Sequence, residues 1–496
     1  MAKVIKESEM SNIKILDSIK QYTLNYTDII GNSNKFYSAE IVKASDNNYY
    51  LFTNYGRVGG TKICEYRLCS SQSDAEIEAT KIVKSKIKKG YVEVSLVKSD
   101  VGSDIAKSKV IANTATVDEL KKAGISIKEE EGSKSKLHPE VQDLVKTWFG
   151  VTQEFVDLNL DTSKCSLGQL SISQISKGKD LLEEARKIIH MSKPDEQELN
   201  RLTNLYYSNI PHNFGYRKID ANALRLDDDV KVDKAFDFLD IINSAKDVEA
   251  VISKKSAVDG QYSTLKAEFE FVDPLSPTFK WIDAMLHGTR ASNHSGLGKL
   301  KTHKVFKVNR NGEDKYFIES AEKIAKECGK QTLSAVYANL VKERPDVPKE
   351  LQSLYKMANV CPGWHGTRRA NMINITKKGL LIRPTGVTHA GSALGDGIYW
   401  ANNSSKSINY TDCKGSYWAQ GTAKTAYLFL ADVAFGNQKI VNSSSFYSLK
   451  NINPNHSVWA KQGGSFYNEE LVTYVPSGPG QQHSIRYIIE FETQAK

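Results

Sequence analysis

The sequence predicts a multidomain α+β protein: a small β-rich domain, then an all-α bundle, then a mixed α/β domain. Three observations carry this. From Asn34 short strands alternate with glycine turns and end in one helix; from Lys136 to about Ser256 apolar residues recur at helical spacing; and from Leu265 strict alternation takes over. A length of 496 residues is enough for several cores.

Residues 1–34 are polar and weakly patterned, and read as an N-terminal tail with one short strand near Ile13–Leu24. The first domain spans 35–98. Its strands are 35–42, 49–52 and the stretch Asn54-Tyr55-Gly56-Arg57-Val58-Gly59-Gly60. Ser73-x-x-Glu76 has capping-box form, and Ala75, Ala79, Ile82, Val83 and Ile87 follow at helical spacing. The opposite face of that helix carries Lys81, Lys84, Lys86, Lys88 and Lys89. Residues 99–135 are rich in Lys, Ser, Glu and Gly, the composition of a flexible linker.

In the bundle, 136–256, Pro139 suits a first helical turn, with Val141, Leu144, Val145 and Trp148 on one face. Ser171-x-x-Gln174 caps a second helix, and further helices fall near 194–208 and 230–243. The last domain spans 257–496. It opens on Leu265, Ala267, Phe269 and Phe271 alternating with Lys266, Glu268 and Glu270, a half-buried strand. A helix is expected over 277–286, and Asn311-Gly312 between 305–309 and 315–317 signals a hairpin. Residues 318–358 read as two helices, and later strands as 397–401, 425–434, 471–475 and 484–492.

Composition is that of an ordinary globular protein, 40% hydrophobic and 25% charged. No eighteen-residue apolar run exists to span a membrane, and the charged start MAKVIKESEMSNIK lacks an apolar signal core, so an intracellular location is expected. Six cysteines are scattered without a C-x-x-C pair or metal-ligand spacing, which points to free thiols and no metal site. The net charge of +9 permits contact with nucleic acid.

Chemistry concentrates in Gly363-Trp364-His365-Gly366-Thr367-Arg368, then Gly395-Asp396-Gly397-Ile398-Tyr399-Trp400-Ala401, Ser405-Lys406-Ser407-Ile408-Asn409-Tyr410, and Phe466-Tyr467-Asn468-Glu469-Glu470-Leu471-Val472. A planar amide ligand wants backbone approached closely, as at Gly366, aromatic faces such as Tyr399 and Tyr410, and a hydroxyl such as Ser407. A carboxylate at the far end would serve a cation forming in the transition state.

In this order and spacing the pieces resemble the DNA-dependent poly(ADP-ribose) polymerases, the nuclear ADP-ribosyltransferases with a His-Tyr-Glu triad. The resemblance covers about residues 35–496 and lacks the zinc fingers of the longest members. It implies a triad of His365, Tyr399 and Glu469 and NAD+ as co-substrate without a metal. Gly366 and Ser407 would hold the carboxamide, Tyr399 and Tyr410 would sandwich the ring, and His365 would hold the adenosine-side ribose. Thr367 and Asn371 would lie near that ribose and the adenine, Arg383 beside the cofactor, and Lys406 on the acceptor side. Glu469 would bond the nicotinamide-ribose 2′-hydroxyl.

The first domain resembles the WGR domain of the same family, which binds DNA ends; Tyr55 stands where the family has Trp, with Gly56, Arg57 and Lys62 beside it. Lys136-Leu137, Leu167-Gly168-Gln169-Leu170-Ser171 and Ile210-Pro211-His212-Asn213-Phe214-Gly215 resemble landmarks of the regulatory helical subdomain, which blocks the cofactor cleft until DNA is bound, with His212 structural. The resemblance thus implies a nuclear poly(ADP-ribosyl)transferase activated by DNA breaks with 5′-phosphate ends. It would modify itself and chromatin or repair proteins, with an accessory factor able to complete its site. A mono-ADP-ribosyltransferase of the same build and a catalytically silent DNA-end scaffold are the alternatives.

Overall fold

The computed structural model describes residues 3–5, 15–58, 60–94, 135–159, 170–214, 218–249, 257–328, 344–382 and 392–494. The linker 99–134, Arg383 and Cys165 lie outside them. The chain divides into two compact units, one of residues 1–134 and 153–250, the other of 135–152 and 251–496.

The first unit is built on a six-stranded antiparallel sheet of β1 (Lys3–Ile5), β2 (Ile15–Asp28), β3 (Ser33–Ala44), β4 (Tyr49–Arg57), β5 (Lys62–Cys69) and, after the helix α1 (Gln72–Lys88), β6 (Val92–Glu93). Their order is β1-β5-β4-β3-β2-β6. Strand β3 is central and buried on both faces. Tyr37, Ala39 and Ile41 pack with Ala75, Ala79 and Val83 of α1, while Val42 and Ala44 join Tyr50, Phe52 and Tyr66 on the other side. Residues 1–34 therefore depart from the expected tail: they supply β1 and the fourteen-residue β2, which runs beside β3 along its length. The helix cap also differs. Ser71, not Ser73, accepts the Asp74 N–H at 3.1 Å.

Four helices follow: α2 (Pro139–Asn159), α3 (Ile172–Ile189), α4 (Glu196–Asn209) and α6 (Asp229–Glu249), with the short α5 (Ala221–Leu224) before the last. Ser171 caps α3 as its spacing predicts, accepting from Gln174 N–H at 3.1 Å. Strand β2 meets α4 along a polar seam. Asn25 Nδ2 donates to Tyr207 O at 3.0 Å, Thr27 N–H to Ser208 Oγ at 2.9 Å, and Ile29 N–H to Asn204 Oδ1 at 3.0 Å. Asn34 Nδ2 adds a bond of 2.9 Å to His212 O. The His212 ring sits among Tyr207, Phe214 and Phe238, which pushes its pKa down to about 4. It is a neutral packing group, as expected.

The division between the two units falls inside α2, whose first half belongs to the second. There Trp148 is fully buried and edge-on to Phe269 and Tyr427, and Lys304 reaches Glu140 and Asp143 at 2.6 Å each.

The second unit continues with α7 (Ala257–Thr264), β7 (Ala267–Phe271), α8 (Pro277–Gly288), β8 (Leu300–Arg310), α9 (Glu313–Glu327), α10 (Lys349–Met357), β9 (Val360–Gly366) and α11 (Met372–Lys378). After these come β10 (Ile398–Trp400), α12 (Ser404–Ile408), β11 (Thr425–Ala434), β12 (Gln438–Val441), α13 (Leu449–Ile452), β13 (Ser457–Ala460), β14 (Glu470–Thr473) and β15 (His483–Thr493). They form two sheets, β7-β8-β15-β11-β9 and β10-β14-β13-β12.

Asn311-Gly312 does not make a hairpin. Gly312, at φ 76°, turns the chain out of β8 into α9, so residues 315–317 are helical. Helices α9 and α10 both join a buried charge network, α9 through the exposed Asp314, which pairs with Arg486, and α10 through Tyr355. Asp432 accepts from Arg344, from Tyr355 Oη at 2.7 Å and from Arg486 Nε at 2.8 Å, and Asp346 accepts from Arg344 at 2.9 Å and from Tyr487 Oη at 2.8 Å. Burial pushes the Asp432 carboxyl up, and Arg344 and Arg486 overcome it, leaving the group below the usual range.

Candidate active site

The site forms where the two sheets of the second unit touch. Trp364 in β9 and Ala401, just past β10, bridge antiparallel through two backbone bonds of 2.9 and 3.0 Å. This brings His365 beside Tyr399 although 34 positions separate them: His365 Nδ1 lies 3.1 Å from the Tyr399 carbonyl. A carbonyl only accepts, so Nδ1 carries the proton and Nε2 is left as an acceptor. Burial lowers the His365 pKa, which keeps the ring neutral. The Tyr399 phenol donates to Gly395 O and accepts from Leu394 N–H, both at 2.9 Å.

Helix α12 supplies the opposite wall. Ser407 is buried, and its hydroxyl donates to Trp364 O at 3.0 Å. Gly366 is needed here for a reason the sequence did not suggest: a Cβ on it would lie 1.8 Å from the Ser407 carbonyl oxygen. The close approach is thus first that of the protein's own backbone. Tyr410, 40% exposed, follows α12 and faces Trp418 at 6.4 Å between ring centroids, 22° from parallel. Beyond β9, Asn371 Nδ2 donates to Thr367 Oγ1 at 3.1 Å.

The start of β14 brings two glutamates, Glu469 just before the strand and Glu470 its first residue. The Glu469 carboxylate accepts from the Asn402 side-chain amide, while Lys406 Nζ bonds the Glu469 backbone carbonyl at 2.8 Å and the Glu470 carboxylate at 2.5 Å. Burial lowers the Lys406 pKa, opposed first by Glu470 and then by Glu469. The phenols of Tyr399 and Tyr410 are both pushed up, by burial first and also by the Glu470 charge. Sequence reasoning missed Glu470, Asn402 and His294, whose Nδ1 lies 2.8 Å from Ser405 Oγ and whose Nε2 lies 3.1 Å from Asn468 Nδ2. The signal for Glu470 was present in the period of two along the strand it begins.

Comparison with known families agrees with this geometry. Residues 276–487 match the sequence model described as the poly(ADP-ribose) polymerase catalytic domain, 135–269 the poly(ADP-ribose) polymerase regulatory domain, and 20–98 the WGR domain. The chain belongs to the poly(ADP-ribose) polymerase family. Among curated relatives of this polymerase-family chain, it is 27% identical over 449 residues to the protein mono-ADP-ribosyltransferase PARP3 of Homo sapiens, covering 85% of this chain and 73% of that protein. It is 26% identical to the poly [ADP-ribose] polymerase of Sarcophaga peregrina (88% of this chain, 40% of that one) and to poly [ADP-ribose] polymerase 1 of Gallus gallus (86% and 38%). The chain thus spans about two fifths of the length of those two relatives.

Within the WGR-matching region, the Tyr55 ring stacks on Tyr37 at 5.2 Å and 14°, its hydroxyl donates to Glu65 at 2.9 Å, and Lys86 Nζ lies 5.6 Å from its centre. Gly56 pairs with the exposed Lys62 across the β4–β5 ladder. Arg57 donates to Asn32 O at 2.8 Å and Asn32 Oδ1 at 3.1 Å; the same Oδ1 accepts the Ile219 N–H at 3.0 Å. One face of Tyr55 is therefore already covered by protein. Among the described residues no group of three His, Cys, Asp or Glu could hold a metal, and no helix is long and apolar enough to cross a membrane.

Proposed function

We propose that this protein is an NAD+-dependent ADP-ribosyltransferase that forms poly(ADP-ribose) on itself and on chromatin or repair proteins in the nucleus, and that DNA strand breaks activate it. The carrying observation is the convergence of His365, Gly366, Tyr399 and Ser407 on the Trp364–Ala401 bridge, with Tyr410 just past α12. These residues fit a nicotinamide-bearing dinucleotide: two phenols offer ring faces, and the Ser407 hydroxyl, having donated to Trp364, keeps lone pairs for an amide N–H. Bound NAD+ supplies the ADP-ribosyl group: the bond from ribose C1′ to the pyridinium nitrogen breaks, its electron pair leaves with neutral nicotinamide, and an acceptor oxygen closes on C1′ as it loses its proton.

The chain's own groups would prepare that exchange. Tyr399 and Tyr410 hold the ring, and Gly366 offers its backbone to the carboxamide. His365 accepts from a ribose hydroxyl through Nε2, the atom its bond to Tyr399 leaves free to accept. Thr367 and Asn371, already joined, lie next along the chain toward the adenosine. Lys406 places a cation on the acceptor side beside two carboxylates, one of which steadies the positive charge at C1′ and takes up the acceptor proton.

Tyr55, Gly56, Arg57 and Lys62 would meet a 5′-phosphate DNA end, and Asn32 joins Arg57 directly to Ile219 of the helical region, which supports a route from DNA to that region. Labelled NAD+ offered with and without nicked, 5′-phosphorylated DNA tests the reading. Nicotinamide release and a ladder of products that both rise with DNA are expected. A single-length product would instead favour a mono-transferase, the activity named for the human relative. Absence of turnover with DNA would leave a silent scaffold.

A further inference from the structure

Two large aromatic rings are left to solvent on the loop that follows α12. Trp418 is 59% exposed and Tyr417 70% exposed, yet the backbone that carries them is fixed. Tyr417 N–H donates to Asn409 Oδ1 at 2.9 Å, and the N–H groups of Trp418 and Ala419 donate to Asn409 O at 3.1 and 3.2 Å. Gly421 N–H closes the loop on Ser416 Oγ at 2.9 Å. Asn409 is itself buried and directly precedes Tyr410, so the loop is anchored to the residue next to that phenol. A near-parallel pair results: the Trp418 and Tyr410 ring centroids lie 6.4 Å apart with 22° between planes. The Tyr417 ring stands edge-on to Trp418 at 4.8 Å and 87° and steadies it in turn.

We infer that Trp418 is a positioning residue for Tyr410: it lies against the solvent-side face of that phenol and holds the ring in place as one wall of the nicotinamide pocket, which rests on the transferase reading above. A phenol at the mouth of a cleft turns about its side-chain bonds, and a wall that turns offers a planar ligand less than its full face. Trp418 removes this freedom before the ligand arrives, so ordering Tyr410 does not subtract from the binding free energy. Trp418 meets Tyr410 and Tyr417 and, among the described residues, makes no ring contact with Tyr399, so it backs the pair of phenols rather than standing between them. The support acts on the nicotinamide ring whether or not its bond to C1′ is intact, and therefore bears on binding and not on the chemical step.

The test uses the full chain with nicked DNA and compares wild type with Trp418→Ala, Trp418→Leu and Trp418→Phe. Benzamide, which carries ring and carboxamide without a scissile bond, is titrated into each, and nicotinamide release is followed across NAD+ concentration. Trp418→Ala is expected to weaken benzamide binding about three- to tenfold, the span that an aromatic pair contributes. It should raise KM for NAD+ in the same direction and leave kcat within about twofold. Trp418→Leu should resemble alanine, because it fills space without a flat face, and Trp418→Phe should recover most of the loss, an order that mere structural damage would not give. Melting temperature should stay at the wild-type value in all three, since the residue is more than half exposed. Unchanged benzamide affinity in Trp418→Ala overturns the inference, as does tighter binding, the result if the indole itself took the place of the ligand ring. A fall in kcat as large as the rise in KM overturns it too. A wild type that binds benzamide but releases no nicotinamide would overturn the transferase reading while the benzamide series still decides the role of Trp418. A wild type that binds no benzamide would overturn both.

Discussion

Two charge clusters in the second unit use similar groups to different ends. Around Asp432, the guanidinium groups of Arg344 and Arg486 face the carboxylates of Asp432 and Asp346, with Tyr355 and Tyr487 donating to what remains. Around Lys406, one ammonium bonds the Glu470 carboxylate and the Glu469 backbone carbonyl, with the Glu469 carboxylate nearby on Asn402. Among its buried members the first group balances two charges against two, with the exposed Asp314 also paired to Arg486 at its edge; the second leaves a negative charge over. A balanced buried network has nothing to offer a ligand and serves to hold helices, whereas an excess carboxylate beside aromatic faces has an unmet demand for positive charge. The fold thus separates electrostatics that stabilise from electrostatics that react.

Breaking the balanced cluster should have the largest effect on stability. Asp432→Ala leaves two guanidinium groups without their shared partner, and removing one member of a buried pair costs about 3–5 kcal/mol. Thermal melting should fall by about 10 °C, since a domain of this size shifts by about 2–4 °C per kcal/mol. A loss under a quarter of that would mean that water already reaches Asp432 and that the two clusters differ less than their hydrogen bonds suggest.

The packing of the reactive region should be nearly as sensitive. Gly366→Ala places a methyl 1.8 Å from the Ser407 carbonyl oxygen, so α12 must move away from β9. Overpacking of this kind costs about 1–3 kcal/mol. The same movement displaces Ser407 and Tyr410, so nicotinamide release should fall further than stability does, checked by melting and activity on one preparation.

How much of this was legible beforehand follows the same division. The motifs that carry His365, Gly366, Tyr399, Ser407 and Tyr410 are dense in residue types a planar amide needs, and the structure brings the first four to one bridge. Strand β7 and the cap of α3 also fall where alternation and spacing put them, because both signals are local. That Glu470 shares the face of Tyr399 was not readable beforehand, because it depends on how β14 pairs with β10, a register that one strand does not encode. Asn311-Gly312 misled for a related reason: the turn residues were right, and the helix-forming Glu313-Asp314-Lys315 after them decided what the turn led into. The cluster at Asp432 was unreadable, since its members come from positions 344 to 487 and none has a motif.

Acid should distinguish structural histidines from solvated ones. His483 is fully buried, and burial pushes its pKa down to about 3. Between pH 6.5 and pH 3 the unfolded chain binds a proton there that the folded chain refuses. That stability is fully present above pH 6.5 and is lost as pH falls, by about 1.4 kcal/mol per pH unit at most. Urea midpoints between pH 7 and 5 should show this slope in wild type and a shallower one in His483→Gln. An unchanged slope would assign acid sensitivity to other groups.

The smallest expected effect asks the same question of a single hydroxyl. Ser71 accepts the Asp74 N–H at the start of α1, whereas the sequence had pointed to Ser73, which is already inside the helix. A cap satisfies a backbone donor that has no intrahelical partner, and replacing it with alanine costs about 1 kcal/mol. Alanine at Ser73 removes no such partner and adds a better helix former, so it should be neutral or stabilising by a few tenths of a kcal/mol. Urea midpoints of the two variants should therefore shift in opposite directions or by clearly unequal amounts. Equal shifts would show that the helix start slides to whichever serine remains, and that a satisfied polar group here is interchangeable in a way that Asp432 is not.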